Sequence, residues 1–172
     1  MKSACTYLKG LHRQGHEELS VSVNISMVQL LQDDFVCKVT EILDYAGLNP
    51  EYLELEITES VLMESCDALE GKLKLLKDKG IKIALDDFGK GYSSLNYLKQ
   101  LPISTLKIDK SFIDTIESDS KHKSLTNLIV KLGRIMGLSV VAEGVETKEQ
   151  LDYLTRYRCC LLYTSDAADD LL

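Results

Sequence analysis

A chain of 172 residues with 45% hydrophobic and 27% charged side chains has the composition of one globular domain, and no apolar run approaches the roughly 20 residues that span a bilayer. The formal charge of -7 argues against a nucleic-acid polymer as partner, because backbone binding is driven by Lys and Arg neutralising phosphates. Five cysteines (Cys5, Cys37, Cys66, Cys159, Cys160) have neither an even count nor a CxxC or zinc spacing, so they read as reduced thiols; with no signal-peptide core in "MKSACTYLKG", the expected location is the cytoplasm, without membrane contact by this segment.

In chain order, Leu8 and Leu11 mark a sparse helical face that stops near Gly15, and "LSVSVNIS" (Leu19 to Ser26) switches to strand character. Phe35, Val39, Ile42, Leu43 and Ala46 return to helical spacing, closed by Gly47 past the helix end. "LELEI" (Leu53 to Ile57) alternates as a strand, Leu69, Leu73 and Leu76 form the next helix stripe, and Gly80 ends it before "IKIAL". A short helical piece, "SSLNYLKQL", stops at Pro102, and "STLKID" (Ser104 to Asp109) reads as a strand. Leu125, Leu128, Ile129, Leu132, Ile135 and Met136 predict the buried face of a long helix ended by Gly137, before the strand "LSVVAEG". Thr147 with Gln150 is a capping box for a helix carrying Leu151 and Leu154. Strand and helix thus alternate about five times with short connections, the pattern of an α/β fold with parallel strands and helical crossovers. Both a doubly wound sheet and a (β/α) barrel fit; no glycine-rich dinucleotide fingerprint follows the first strand.

Polar groups gather where the strands end. Asn24 sits near the end of the first, Glu56 and Glu59 at the end of the second, Asp86 and Asp87 after the third, Lys107 and Asp109 at the fourth, and Glu143 and Glu146 after the fifth. A single such carboxylate is commonly a helix N-cap. Five strands doing it together point to a shared rim, and clustered carboxylates call for a compensating cation. The donors are all oxygens, while His12, His16 and His122 lie in or beside helices, so Mg²⁺ or Mn²⁺ suits the set better than zinc. The adjacent pair Asp86 and Asp87 could bridge two ions standing about 3.5–4 Å apart.

"VNIS", "LELEITES", "IALDDFGKGYSSLNYLKQLPISTLKIDKSF" and "VVAEGVETKEQL", in this order and at these separations, resemble the EAL domain of bacterial cyclic-di-GMP phosphodiesterases. The resemblance covers residues 1–159 and implies an incomplete (β/α)8 TIM-like barrel of about five parallel strands. By matching of motifs it implies that Asn24, Glu56 and Asp86 bind metal, with Asp87 at or beside a second ion. It makes Lys107 the contact to water and phosphate and Glu143 the general base. Glu59 would hold the loop "DDFGKGYSS" in shape, with Glu146 and Asp109 as supporting residues and Lys90 standing where the family more often has threonine. The implied reaction is hydrolysis of one phosphodiester bond of cyclic-di-GMP by metal-activated water, giving a linear guanine dinucleotide.

The family's Glu-Ala-Leu tripeptide, which supplies a further metal ligand, and its Gln-Gly-Tyr substrate segment find no counterpart in the chain, so the chain is expected to be a truncated and inactive piece of such an enzyme. "CLLYTSDAADDLL" (Cys160 to Leu172) shows no strand or helix periodicity and reads as a non-native tail. Family membership also implies a homodimer in the intact domain and flanking sensor or regulatory domains. The alternative from another class is a degenerate module that binds cyclic-di-GMP without cutting it; retention of Lys107 and Glu143 counts against it. Phe88, Tyr92, Tyr97 and Phe112 could stack on guanine but are read as packing.

Overall fold

The computed structural model describes residues 1–59, 66–89, 98–116, 120–157, 159 and 161–163, with backbone alone for 66–68, 120–124 and 161–163. It divides into two compact units, Met1–Ala84 with Ser94–Ile103 and Leu85–Ser93 with Ser104–Leu172.

The first unit runs α1 (Lys2–Arg13), β1 (Val21–Asn24), α2 (Met27–Leu31), α3 (Phe35–Ala46), a 3-10 turn (Pro50–Tyr52), β2 (Leu53–Thr58), α4 (Cys66–Asp78) and the opening of β3 (Lys82–Phe88). Strands β1 and β2 pair in parallel with Val21 opposite Leu53 and Asn24 opposite Glu56. Leu53, Leu55 and Ile57 are fully buried on one face of β2, and Leu69, Leu73 and Leu76 of α4 are fully buried as well, as their spacing predicts. Gly47 closes α3 at φ 62°, in the left-handed region where a side chain would be strained. Helix α2 is too short to be stable by propensity alone, and it is held from both ends. Ser26 and Gln29 form a reciprocal capping box at its start. At its end the Lys72 ammonium donates to the carbonyls of Leu30, Leu31 and Gln32 at 3.1, 2.9 and 2.8 Å, where a cation also complements the helix dipole.

The second unit holds the end of β3, then β4 (Thr105–Ile108), α5 (Lys110–Asp114), α6 (Ser120–Ile135), β5 (Ser139–Glu143), α7 (Lys148–Arg156) and β6 (Leu161–Tyr163). Its strands follow in the order β3-β4-β5-β6. Thr105 pairs with Ser139 and Ile108 with Ala142, and Val141 pairs with Leu161, all in parallel. All four residues of β4 are buried, as expected of a parallel strand covered on both faces.

Two differences from the sequence reading appear here. The five strands read from the sequence are all present, and Leu161–Tyr163, within the segment whose sequence shows no strand periodicity, adds a sixth beside β5. Three residues are too few for alternation to show. The second difference is the buried face of α6. Ile129 is buried as predicted, but its companions are Thr126, Val130 and Gly133, whereas Leu125, Leu128 and Ile135 are 42%, 62% and 83% exposed. The reason is close approach: a Cβ on Gly133 would stand 2.4 Å from Val140 Cγ2, so the smallest side of the helix faces β5. Hydrophobicity alone selects the other face, because threonine and glycine do not register as apolar.

Candidate active site

In the first unit, register puts Asn24 directly opposite Glu56 at the carboxyl ends of β1 and β2, and paired residues of parallel strands share a face. The Ile25 amide donates to the Glu56 carbonyl at 2.9 Å, extending the ladder one residue past Asn24 and fixing where both side chains leave the sheet. Ser22 and Glu54, one pleat earlier, are joined on the same face by a 3.2 Å hydrogen bond. Glu56 is 8% exposed and Glu59, just beyond β2, is 3% exposed.

In the second unit the site is built around Lys107. A lysine in a fully buried strand must be paired, since an isolated ammonium is costly to desolvate. Its Nζ lies 2.6 Å from Glu143 Oε1 and 3.5 Å from Asp86 Oδ1. The register explains the reach: Lys107 is opposite Val141, so Glu143 lies two residues further along β5 on the same face, within range of a four-carbon stem. Asp86 and Asp87 lie inside the carboxyl end of β3, which runs on to Phe88 rather than stopping at Leu85 as the sequence suggests, and the Asp87 amide donates to Asp86 Oδ1 at 2.9 Å. Asp87 is the only non-glycine described at positive φ, 56°, a left-handed backbone one residue before β3 closes at Phe88.

The supporting residues have defined tasks. Asp109 is the N-cap of α5, accepting from the Ser111 amide at 2.9 Å. Glu146 is ion-paired with Lys110, and that bond pushes the Lys110 ammonium above the ordinary lysine value. The Glu146 and Thr147 amides both donate to Gln150 Oε1, at 2.8 and 3.1 Å, so the capping box of α7 also ties down the loop after β5. Phe112 lies against Gly89 and Phe88 is 8% exposed, in keeping with packing roles. Lys90, Tyr92, Tyr97 and the remainder of the loop attributed to Glu59's support lie outside the described residues. Lys110 escaped the sequence reading; its signal was a basic residue following a strand-end aspartate, which looks like surface charge until its partner is known.

The structure therefore joins Asn24 with Glu56 in one unit, and Asp86 with Lys107 and Glu143 in the other. Among the described residues no three His, Cys, Asp or Glu side chains converge as a ready-made metal cage. The donor chemistry nevertheless fits a hard divalent ion, because every candidate ligand is a carboxylate or amide oxygen. Among the described residues no helix is long and apolar enough to cross a membrane.

Comparison with known families matches the model described as "EAL domain" to residues 1–162. This chain belongs to the EAL domain family. Within it, the chain is 41% identical over 162 residues to the cyclic di-GMP phosphodiesterase NbdA of Pseudomonas aeruginosa, covering 94% of this chain and 21% of NbdA. It thus spans about a fifth of that relative's length. Among solved structures, the MucR phosphodiesterase in complex with c-di-GMP superposes with a TM-score of 0.92 at 40% identity, over 99% of this chain and 71% of that one. The manganese and cyclic-di-GMP complex of Klebsiella pneumoniae BlrP1 matches with a TM-score of 0.84 at 28% identity, over 95% of this chain and 42% of that one. The EAL fold is TIM-barrel-like, and the parallel α/β arrangement read from the sequence is part of it.

Proposed function

We propose that this EAL chain contributes the catalytic face of a phosphodiesterase that opens cyclic-di-GMP to a linear guanine dinucleotide in bacterial signalling. The observation that carries the reading is the Lys107 ammonium held between Glu143 and Asp86. A phosphodiester is anionic and unreactive, so its cleavage needs positive charge at the non-bridging oxygens and a base for the attacking water. Divalent ions, Mg²⁺ or Mn²⁺ and two in number, would supply most of that charge and make water acidic enough to attack. Asn24, Glu56, Asp86 and Asp87 are the residues that would hold them.

Lys107 then binds a phosphate oxygen, and its hydrogen bond to Glu143 orients that carboxylate. Glu143 takes the proton from water as the water oxygen bonds to phosphorus. One phosphorus–oxygen bond breaks; the phosphate stays on one sugar, and the other sugar leaves as an alcohol after taking a proton from solvent water, to which Glu143 returns the proton it took. Glu59, Glu146 and Asp109 support these groups, Asp109 by capping α5 and Glu146 through its ion pair with Lys110. Flanking sensor domains, a homodimer and a cytoplasmic setting complete the proposal, and the MucR complex with c-di-GMP supports the ligand class.

The test is Glu143→Gln in a domain extended to the length of the solved relatives, assayed with cyclic-di-GMP and Mg²⁺ or Mn²⁺. Ligand binding should persist while turnover falls by about 10²–10⁴, the usual worth of a general base. Unchanged turnover would remove Glu143 from this role.

A further inference from the structure

We propose that Lys110 is a positioning residue that sets the turn directly following Glu143, acting through two separate contacts. The first is ionic: its ammonium pairs with Glu146, three residues beyond Glu143. The second is steric. Gly144, directly after Glu143, has φ 69°, and a Cβ there would lie 2.6 Å from Lys110 Cγ and 2.7 Å from Cδ. The Lys110 stem is thus laid across the one residue of this turn that has no side chain, while its head holds the carboxylate at the far end of the turn.

The anchor for this brace is itself fixed. Asp109 caps α5 immediately before Lys110, and Thr126 of α6 donates to the Phe112 carbonyl at 3.3 Å. Phe112, one turn away from the cap, treats the turn after β3 in the same manner: a Cβ on Gly89 would stand 2.5 Å from its ring. The segment Asp109–Phe112 therefore touches both the turn that follows Asp86 and Asp87 and the turn that follows Glu143, all within the second unit. Coupling of the two turns to one short helix fixes the separation of the strand ends that precede them, and catalysis is sensitive to displacements of about 1 Å in the groups those ends carry. A surface ion pair of this exposure contributes little to global stability. Its consequence is local: it decides where one loop sits.

The catalytic part of this inference rests on the function proposed above; the positioning part does not. Amide hydrogen exchange is measured on the chain and on Lys110→Met, Lys110→Ala and Lys110→Arg, with turnover of cyclic-di-GMP measured in the extended domain. Lys110→Met keeps the stem and removes the charge. It should speed exchange of the Glu146 and Thr147 amides by about two- to fivefold and lower kcat by about tenfold with KM little changed. Lys110→Ala should do more of both, and Lys110→Arg should restore both. Peptides from β4 and α6 should exchange as in the parent. Exchange at 146–147 that is unchanged in Lys110→Met, or raised equally throughout the second unit, overturns the proposal. So does a loosened loop with unaltered kcat. If the extended parent itself fails to hydrolyse cyclic-di-GMP, the functional reading falls, and exchange still decides whether Lys110 positions the loop.

Discussion

Replacement of Lys107 by methionine isolates the charge at the centre of the second unit, because the two side chains have similar length. Lys107 is 7% exposed, and the side chains of its partners Asp86 and Glu143 are 15% and 32% exposed. With an effective dielectric near 20, the attractions at 2.6 and 3.5 Å have gross values of about 6 and about 5 kcal/mol. Most of that is offset by the cost of burying the ammonium and the Asp86 carboxylate. What the substitution leaves behind is two partly buried carboxylates without this cation, and breaking a buried pair costs about 3–5 kcal/mol. Because Glu143 retains water access, a loss of about 2–4 kcal/mol is expected. For a chain of this size that lowers Tm by about 5–12 °C. With 8 tyrosines and no tryptophan, urea unfolding is best followed by circular dichroism, and the midpoint should fall at constant m. Lys131→Met, on an exposed side of α6, is the control and should stay within about 0.5 kcal/mol of the parent. A Lys107→Met variant as stable as that control would refute the view that Lys107 neutralises Asp86 and Glu143.

Three further outcomes test other parts of the structure. Gly133→Ala should destabilise by about 1–3 kcal/mol in a melt, since the new methyl meets Val140 at 2.4 Å; the gain of about 1 kcal/mol that helix propensity alone would give would contradict the close approach of α6 to β5. Ile129→Ala should cost about 2–4 kcal/mol and Leu128→Ala less than about 1, given exposures of 6% and 62%, and equal costs would mean that the buried face of α6 is misplaced. The Glu41 carboxylate accepts from the Cys37 thiol at 3.5 Å and holds that thiol above its ordinary value, so less of it is thiolate at any pH below that value. Glu41→Gln should therefore speed alkylation of Cys37 at pH 8 about two- to threefold by peptide mass spectrometry, with buried Cys5 unreactive in both proteins; an unchanged rate would rule out the bond.

What the sequence made legible was whatever depends on period and punctuation. Leucines at 53, 55, 69, 73 and 76 and the glycines at 47 and 80 fall where their spacing requires; Asn24 and Glu143 end β1 and β5, while Glu56, Asp86 and Lys107 lie one or two residues before the ends of β2, β3 and β4. What stayed hidden depends on neighbours distant in the chain. Helix α2 is five residues long and leans on Lys72 from α4, so no local pattern announces it beyond the Ser26 and Gln29 spacing. The face of α6 was misread because tight packing rewards Gly133, which a hydrophobic count ignores. Lys110 has meaning only once Gly144 and Glu146 are seen beside it.

The left-handed backbone at Asp87 bears on how this position should be probed. Aspartate and asparagine tolerate that conformation better than most residues, whereas alanine incurs a strain of about 1 kcal/mol and a β-branched residue more. An alanine scan at 87 would therefore report two losses as one number, the missing carboxylate and an uncomfortable turn. Asp87→Asn keeps the turn and removes the charge, and Asp87→Gly relaxes the turn while removing both. The difference between those two variants and alanine separates the effect of losing the carboxylate from the effect of straining the left-handed backbone.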